Sequence, residues 1–331
     1  MGPRGVEWLD SLVLQEASIL KLGDKYVLLR FHAASLNYRD LLIVKGQYPF
    51  PVKDSVVLLG DGAGHLAGSL GAKSTKTGLG SGLDGTLRPY GAFDEERLVK
   101  LPENLSFIEG ATLPCAALTA WSALYEPQGK AVAQGDIFLT QGTGGVSLFA
   151  LQFAKASGAK VIATTSSKEK ADLLKQLGAD EVINYKECPE WGEVVRDLTP
   201  NSEGVTHIVE VAGPATMKES LKAIKIDGVI SMVGFIAGSP ADDQPSLIDT
   251  LFRMCTVRGV GVGSRLQFEE MNRAIEANIH PVVDTCIFKF GEVREAYQYL
   301  SDQKHVGKVA LKSKPKDILG WPAHGLYLRG R

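Results

Sequence analysis

Between residues 136 and 234 the chain alternates two kinds of hydrophobic pattern. Short, nearly unbroken apolar runs centre on Ile137, Phe138 and Leu139, on Val161, Ile162 and Ala163, and on Val182 and Ile183; two more span residues 206–211 and 228–234. Between them, side chains return near helical spacing. Val146, Phe149, Ala150, Phe153, Ala154 and Ser157 follow the first run and are closed by Gly158, and two further helical patterns cover residues 191–198 and 217–224. Unbroken runs predict strands covered on both sides, and a period near 3.6 predicts helices with one buried face. Their alternation predicts a doubly wound α/β unit, a parallel sheet with helices on both faces.

The turn after the first run carries the chemistry. Its residues are Gly142, Thr143, Gly144, Gly145, Val146 and Ser147, a G-x-G-x-x-G pattern with serine in the third glycine's place. Glycines let the backbone approach a phosphate closely, and the helix that follows points free N–H groups and a partial positive charge at it. Glycines serving close packing alone are the alternative. The complete strand–turn–helix–strand unit favours a dinucleotide pyrophosphate, and with it an oxidoreductase.

Sites that prefer NAD place an acidic residue after the second strand, where it binds the ribose hydroxyls. This chain has Thr164, Thr165, Ser166, Ser167, Lys168, Glu169 and Lys170 there. Hydroxyls and lysines accept a 2′-phosphate, which points to NADPH. Ser166 and Glu169 also fit a Ser-x-x-Glu capping box, and Lys170 is either a phosphate contact or a solvated lysine. Beyond the fourth and fifth strands, Gly213, Gly234 and Phe235 are candidates to border the nicotinamide, although glycine after a strand is also an ordinary loop former.

Several separated motifs make a wider resemblance specific. They are residues 33–40, which include Asn37, Tyr38 and Arg39, with Gly46, Gln47, Tyr48 and Pro49; residues 113–121, which include Cys115 and Thr119; and residues 177–185, which end in Ile183, Asn184 and Tyr185. The glycine turn and the closing residues 305–309 complete the set. In this order they resemble the zinc-independent, quinone-oxidoreductase-like branch of the medium-chain dehydrogenase/reductase superfamily. The resemblance implies a Rossmann domain with NADPH in a cleft beside a GroES-like, β-rich substrate domain. The corresponding spans are 1–115 for the substrate domain, 116–265 for the Rossmann domain, 266–312 for a return to the substrate domain, and 313–331 for a disordered tail. It further implies that Lys170 and Tyr185 meet the 2′-phosphate, that Thr119 and Lys308 contact the cofactor, and that the last Rossmann strand, near residue 257, pairs across a homodimer. Arg265 is either a cofactor contact or a surface residue.

The resemblance also bears on metal. Zinc-using relatives present a cysteine where this chain has Asn37, Tyr38 and Arg39, a His-Glu pair where it has Gly60 and Asp61, and a second cysteine at Cys115. Only Cys115 survives, and one thiolate does not make a catalytic zinc site, which takes three protein ligands. The expectation is no metal. Asn37, Tyr38 and Arg39 then become the candidate catalytic residues, hydrogen-bond donors that polarise an acceptor carbonyl. The alternative is structural: Asn37 caps a short helix, Tyr38 packs and Arg39 pairs with Asp40.

Two segments depart from that pattern. Residues 65–82, rich in Gly, Ser, Thr and Lys, read as a flexible loop where relatives have strands, which implies a shortened substrate domain. Residues 313–331 show no periodicity, and the N-terminal stretch shows no first strand. Composition narrows the function: 331 residues with 44% hydrophobic content suit two domains, and a formal net charge of −2 without a basic block argues against nucleic acid. No apolar run is long enough for a bilayer, Met1 to Trp8 contain no secretory core, and four scattered cysteines suit a reducing cytoplasm. Three functions fit. They are a reductase of quinones, enones or other conjugated carbonyls, an alcohol dehydrogenase or carbonyl reductase, and a non-catalytic NADPH-binding protein.

Overall fold

The computed structural model describes residues 6–16, 24–62, 78–127, 129–236, 244–313 and 324–328. The chain divides into two compact units, one of Thr119–Val262 and one of Met1–Leu118 with Gly263–Arg331. Among the described residues no helix is long and apolar enough to cross a membrane.

In order of first appearance, the strands of the β-rich unit, Met1–Leu118 with Gly263–Arg331, begin with β1 (Leu12–Glu16), β2 (Tyr26–Arg30), β3 (Ala33–Ser35) and β4 (Tyr90–Asp94). Its helices begin with α1 (Tyr38–Val44), α2 (Phe107–Gly110) and a π-helical turn at Leu113–Ala117. Helix α3 (Leu118–Tyr125) leads into the Thr119–Val262 unit.

That unit holds six parallel strands: β5 (Ile137–Gln141), β6 (Lys160–Thr165), β7 (Glu181–Asn184), β8 (Val205–Glu210), β9 (Ile224–Met232) and β10 (Thr256–Gly259). Their spatial order, β7-β6-β5-β8-β9-β10, reverses direction beside β5. This is the 3-2-1-4-5-6 order of a Rossmann sheet, whose ligands bind beyond the strand ends at the switch point. Helices α4 (Gly145–Ala156), α5 (Lys168–Gln176), α6 (Trp191–Asp197), α7 (Pro214–Ala223) and α8 (Leu247–Arg253) connect the strands. Register carries the core across the sheet: Ile162 pairs with Leu139, Leu139 with Ile208, and Ile208 with Ile230. This row packs with Trp191 and Val195 of α6 and Met217 and Leu221 of α7. A polar residue in that row would lose both sheet neighbours and helix cover at once.

Strand β9 starts at Ile224, where the sequence pattern still read as helix. A register irregularity between Val205 and His207, and a left-handed Asp227 at φ 63°, let the chain enter the sheet early. Neither leaves a trace in hydrophobic spacing.

The β-rich unit continues with α9 (Arg265–Glu276), β11 (Phe288–Lys289), α10 (Val293–Ser301), β12 (Ala310–Lys312) and β13 (His324–Leu328). Its described strands form a β11-β12-β3 sheet and the antiparallel pairs β2-β4 and β1-β13. The amphipathic face of α10, with Val293, Ala296, Tyr297 and Leu300, closes over Leu41, Ile43 and Val44 of α1 and the buried run Val56, Val57, Leu58 and Leu59.

Three sequence expectations change here. Within the tail taken as disordered, residues 324–328 form a strand, with Leu12 opposite Leu328 and Glu16 opposite His324; residues 314–323 lie outside the described residues. The N-terminal stretch does contain strands, β1 and β2. A two-stranded ladder whose halves are some three hundred residues apart has no local pattern to announce it. The loop assigned to residues 65–82 ends as fixed structure: residues 65–77 lie outside the described residues, but Leu79 and Ser81 are buried. Gly80, at φ 71°, passes so close to Leu59 that a Cβ would fall 2.8 Å from its carbonyl carbon.

Candidate active site

In the Thr119–Val262 unit the glycine turn follows the end of β5. Gly142 leaves the strand at φ 74°, its N–H bound to the Thr164 carbonyl at 2.7 Å, and Gly144 caps α4. A Cβ built on Gly142 or Gly144 would meet nothing within 4 Å. These two glycines therefore face open space, as a pyrophosphate cradle requires. Thr143 is buried between them, and Gly145 and Val146 open the helix half-buried.

Ser147 takes over what the missing third glycine does elsewhere. Its buried hydroxyl donates to the Gln141 carbonyl at 2.6 Å and so ties the first turn of α4 to the end of β5.

Behind this turn lies a cluster that the sequence reading missed. The carboxylate of Glu210, fully buried, accepts from Gln141 Nε2 (2.7 Å) and Ser220 Oγ (2.6 Å) on one oxygen. The other oxygen accepts from the Ala212 and Gly213 N–H groups (3.0 and 2.9 Å) and Thr216 Oγ1 (2.7 Å). A buried charge with five donors is satisfied, and here it fixes the β5 end, the β8 end and α7 together. The available signal was an acid inside the apolar run that forms β8. Gly213, at φ 88°, and Gly234 are explained by packing between loops: a Cβ on Gly213 would lie 2.7 Å from Phe235 Cα, and one on Gly234 would lie 2.6 Å from the Val211 carbonyl. Phe235 itself is exposed.

At the other side of the switch point, β6 and β7 end side by side, with Thr165 opposite Asn184. The Tyr185 N–H binds the Thr165 carbonyl at 3.0 Å, and its ring is exposed. Ser166 lies in the connection to α5 and Lys170 in its first turn, and no acidic side chain stands between Thr165 and Glu169. Ser167, not Ser166, caps α5 by accepting the Lys170 N–H at 3.3 Å, so the expected Ser166–Glu169 box is replaced by a cap one residue later. Thr165 Oγ1 is buried without a partner. Thr119 is buried in the first turn of α3.

In the β-rich unit, the chain between β3 and α1 gathers the other candidates. Asp40 Oδ2 accepts the Asn37 N–H at 2.9 Å and holds the start of α1. Arg39 points inward: it donates to the Leu79 carbonyl (2.9 Å) and Ser81 Oγ (2.8 Å), stands 3.5 Å from Asp40 Oδ1, and covers the Tyr48 ring. It is a strut for residues 79–81, and its donors on that side are occupied. Tyr38 is half-buried against the core, and burial pushes its hydroxyl pKa upward.

Lys308, expected at the cofactor, is instead 3% exposed and fully engaged. Its ammonium donates to the Leu36 carbonyl (2.8 Å), to Asn37 Oδ1, and to Asp61 Oδ2 (3.0 Å). Ser35 Oγ shares that carboxylate oxygen at 2.8 Å. Gly307 sets the approach at φ 68°, in a place where a Cβ would fall 2.1 Å from the Val282 carbonyl. An ammonium has three protons, and all three are used.

The surroundings are strongly desolvated. Burial pushes the Asp40 carboxyl up to about 6, with Asp61 adding to the rise and Arg39 opposing it. The Cys115 side chain keeps some surface, yet desolvation and then the charge of Asp61 push its thiol up to about 12, against Lys308 and Arg39. It is a neutral thiol at physiological pH. Among the described residues no three His, Cys, Asp or Glu side chains gather as metal ligands.

A switch-point sheet with an open glycine turn is the architecture of a Rossmann-type oxidoreductase unit. Comparison with known proteins gives the family. The model of the zinc-binding dehydrogenase family matches residues 145–277. A zinc-type alcohol dehydrogenase-like protein of Schizosaccharomyces pombe is 42% identical over 336 residues, covering 93% of this chain and 96% of the relative. The crystal structure of an NAD-dependent alcohol dehydrogenase superposes with a TM-score of 0.79 at 28% identity, over 90% of this chain and 94% of that one. The quinone oxidoreductase of Thermus thermophilus, solved also with NADPH, gives 0.70 at 26% identity, over 90% and 95%. The chain belongs to the medium-chain dehydrogenase/reductase superfamily.

Proposed function

We propose that this protein is an NADPH-dependent, zinc-independent reductase of quinones, enones or other conjugated carbonyls. The observation that carries the reading is the Lys308–Asp61 ion pair, because it places an ammonium on Asp61 Oδ2, in the stretch where zinc-using relatives place ligands. With Cys115 held as a thiol and Arg39 alongside, these residues do not fit a zinc ion.

NADPH fits the residues of the other unit. Gly142, Thr143, Gly144, Gly145 and Val146 would take the pyrophosphate, and Ser166, Lys170 and Tyr185 the 2′-phosphate, at a strand end without the acid that NAD sites use. When bound, NADPH supplies the hydride. The protein's part is to hold the acceptor and stabilise the negative charge that develops on its oxygen; the balancing proton comes from water. Asn37 Nδ2 is a donor for that oxygen, and the Tyr38 hydroxyl, kept protonated by burial, is a second.

A homodimer and a cytoplasmic location accompany this reading. Leu247, Leu251 and Phe252 of α8 are largely exposed, and among the described residues β10 ends the sheet with an unpaired edge, features that a second copy would cover. The test is nucleotide oxidation with NADPH and with NADH against quinones, enones and aldehydes. Turnover of enones or quinones with NADPH supports the proposal. Preference for NADH and aldehydes replaces it with an alcohol dehydrogenase or carbonyl reductase. Nucleotide binding without turnover points to a non-catalytic NADPH-binding protein.

A further inference from the structure

Asn37 has its backbone N–H bound by Asp40 and its side-chain oxygen engaged by Lys308, while its side-chain nitrogen is buried with no partner. A carboxamide has two possible orientations, and Lys308 settles which is present. An ammonium carries donors only, so it takes the oxygen and turns the NH2 group the other way. Lys308 cannot retreat, because Asp61 and the Leu36 carbonyl take its remaining protons and Gly307 fixes the backbone before it.

We propose that Lys308 is a positioning residue: it locks and polarises the Asn37 carboxamide so that Nδ2 is presented as a preorganised donor to the carbonyl oxygen of a conjugated acceptor. This rests on the reductase reading above. A positive charge at Oδ1 draws electron density from the amide and strengthens its N–H donors, as in any hydrogen-bonded chain. The donor is orphaned in the free protein, and a buried polar atom without a partner points to a group that completes it. Asp61 acts one step further back, by neutralising the ammonium and holding it in place.

Two measurements test the inference. With the protein 15N-labelled at asparagine side chains, the NH2 pair missing from Asn37→Ala identifies Asn37. That pair is expected to shift in Lys308→Met and again in the intact protein on adding cyclohexenone. A pair that Lys308→Met leaves unmoved overturns the inference whatever the activity. The second measurement is a double-mutant cycle on kcat for cyclohexenone reduction. Asn37→Ala is expected to lower kcat on the order of a hundredfold, as for loss of an oxyanion donor. Lys308→Met is expected to lower it about tenfold, one charge-assisted hydrogen bond. The double variant should be no slower than Asn37→Ala alone, with KM for NADPH unchanged throughout. Multiplicative losses overturn the inference. Should Lys308→Met not fold, Lys308→Met with Asp61→Asn removes the stranded carboxylate and is measured in its place. If the intact protein reduces no conjugated carbonyl, the reductase reading fails, while the amide shifts still decide whether Lys308 orients Asn37.

Discussion

Lys308 and Asp61, 247 residues apart in sequence, meet at 3.0 Å with side chains 3% and 0% exposed. Ion pairs this deep give little net stability compared with an apolar pair, but breaking one leaves a bare charge inside. Lys308→Met alone is therefore expected to lose roughly 3–5 kcal/mol of unfolding free energy. Lys308→Met with Asp61→Asn should regain a large part of that loss. Urea denaturation of the two variants and the parent reads both effects, and a double variant as unstable as the single one would contradict the buried-charge account.

Asp40 gives the β-rich unit a pH dependence of defined sign. Burial raises its pKa from 3.8 to about 6 in the folded state. The folded protein thus binds this proton more tightly than the unfolded chain, and the associated stability is present at low pH and lost as pH rises through about 6. The full effect of a shift of that size is on the order of 3 kcal/mol. The expected outcome is that the stability of the parent relative to Asp40→Asn falls between about pH 4 and pH 7, by an amount of this order. An unchanged difference across that range would mean that Arg39 compensates the burial of Asp40 completely.

What the sequence revealed of this molecule follows from how local each signal is. Strands β5 to β8 and the glycine turn were legible because each is a run or period within a dozen residues, and the sheet order then follows from right-handed crossovers. The β1–β13 ladder joins the two ends of the chain and was invisible. At the site, Asn37, Tyr38 and Arg39 stood out by resemblance, but nothing local distinguishes Arg39, which props residues 79–81, from Asn37, which keeps a buried donor without a partner. Lys308 stood out by resemblance as a cofactor contact, and only the fold shows three acceptors around its ammonium. Glu210 lay in plain view inside an apolar strand, but its five donors come from β5, the loop after β8 and α7.

Gly144 separates folding from nucleotide binding. Its φ of −77° suits any residue, and a Cβ there meets nothing within 4 Å. Gly144→Val should leave thermal stability nearly unchanged while placing a side chain where the pyrophosphate is proposed to lie, with NADPH affinity falling at least about tenfold. Gly142→Val is different, because φ 74° penalises any β-branched residue and the fold itself should weaken by roughly 1–2 kcal/mol. Thermal melts with and without NADPH distinguish the two. Equal ligand-induced stabilisation of Gly144→Val and the parent would place the pyrophosphate elsewhere.

Lys170 tests the choice of nucleotide. It sits one turn into α5, beside a β6 end that offers hydroxyls and no carboxylate, and Tyr185 leaves the adjacent strand end exposed. An ammonium there rewards a 2′-phosphate and is indifferent to a 2′-hydroxyl, so its removal acts on one nucleotide only. Lys170→Ala is expected to weaken NADPH about tenfold, the size of one charge-assisted contact, and to leave NADH within about twofold. The NADPH loss should shrink at high salt, because the contact is solvent-facing and screened. Titration of both nucleotides against the parent and Lys170→Ala decides it: parallel losses mean that Lys170 shapes α5, and no loss in either means that another group meets the phosphate.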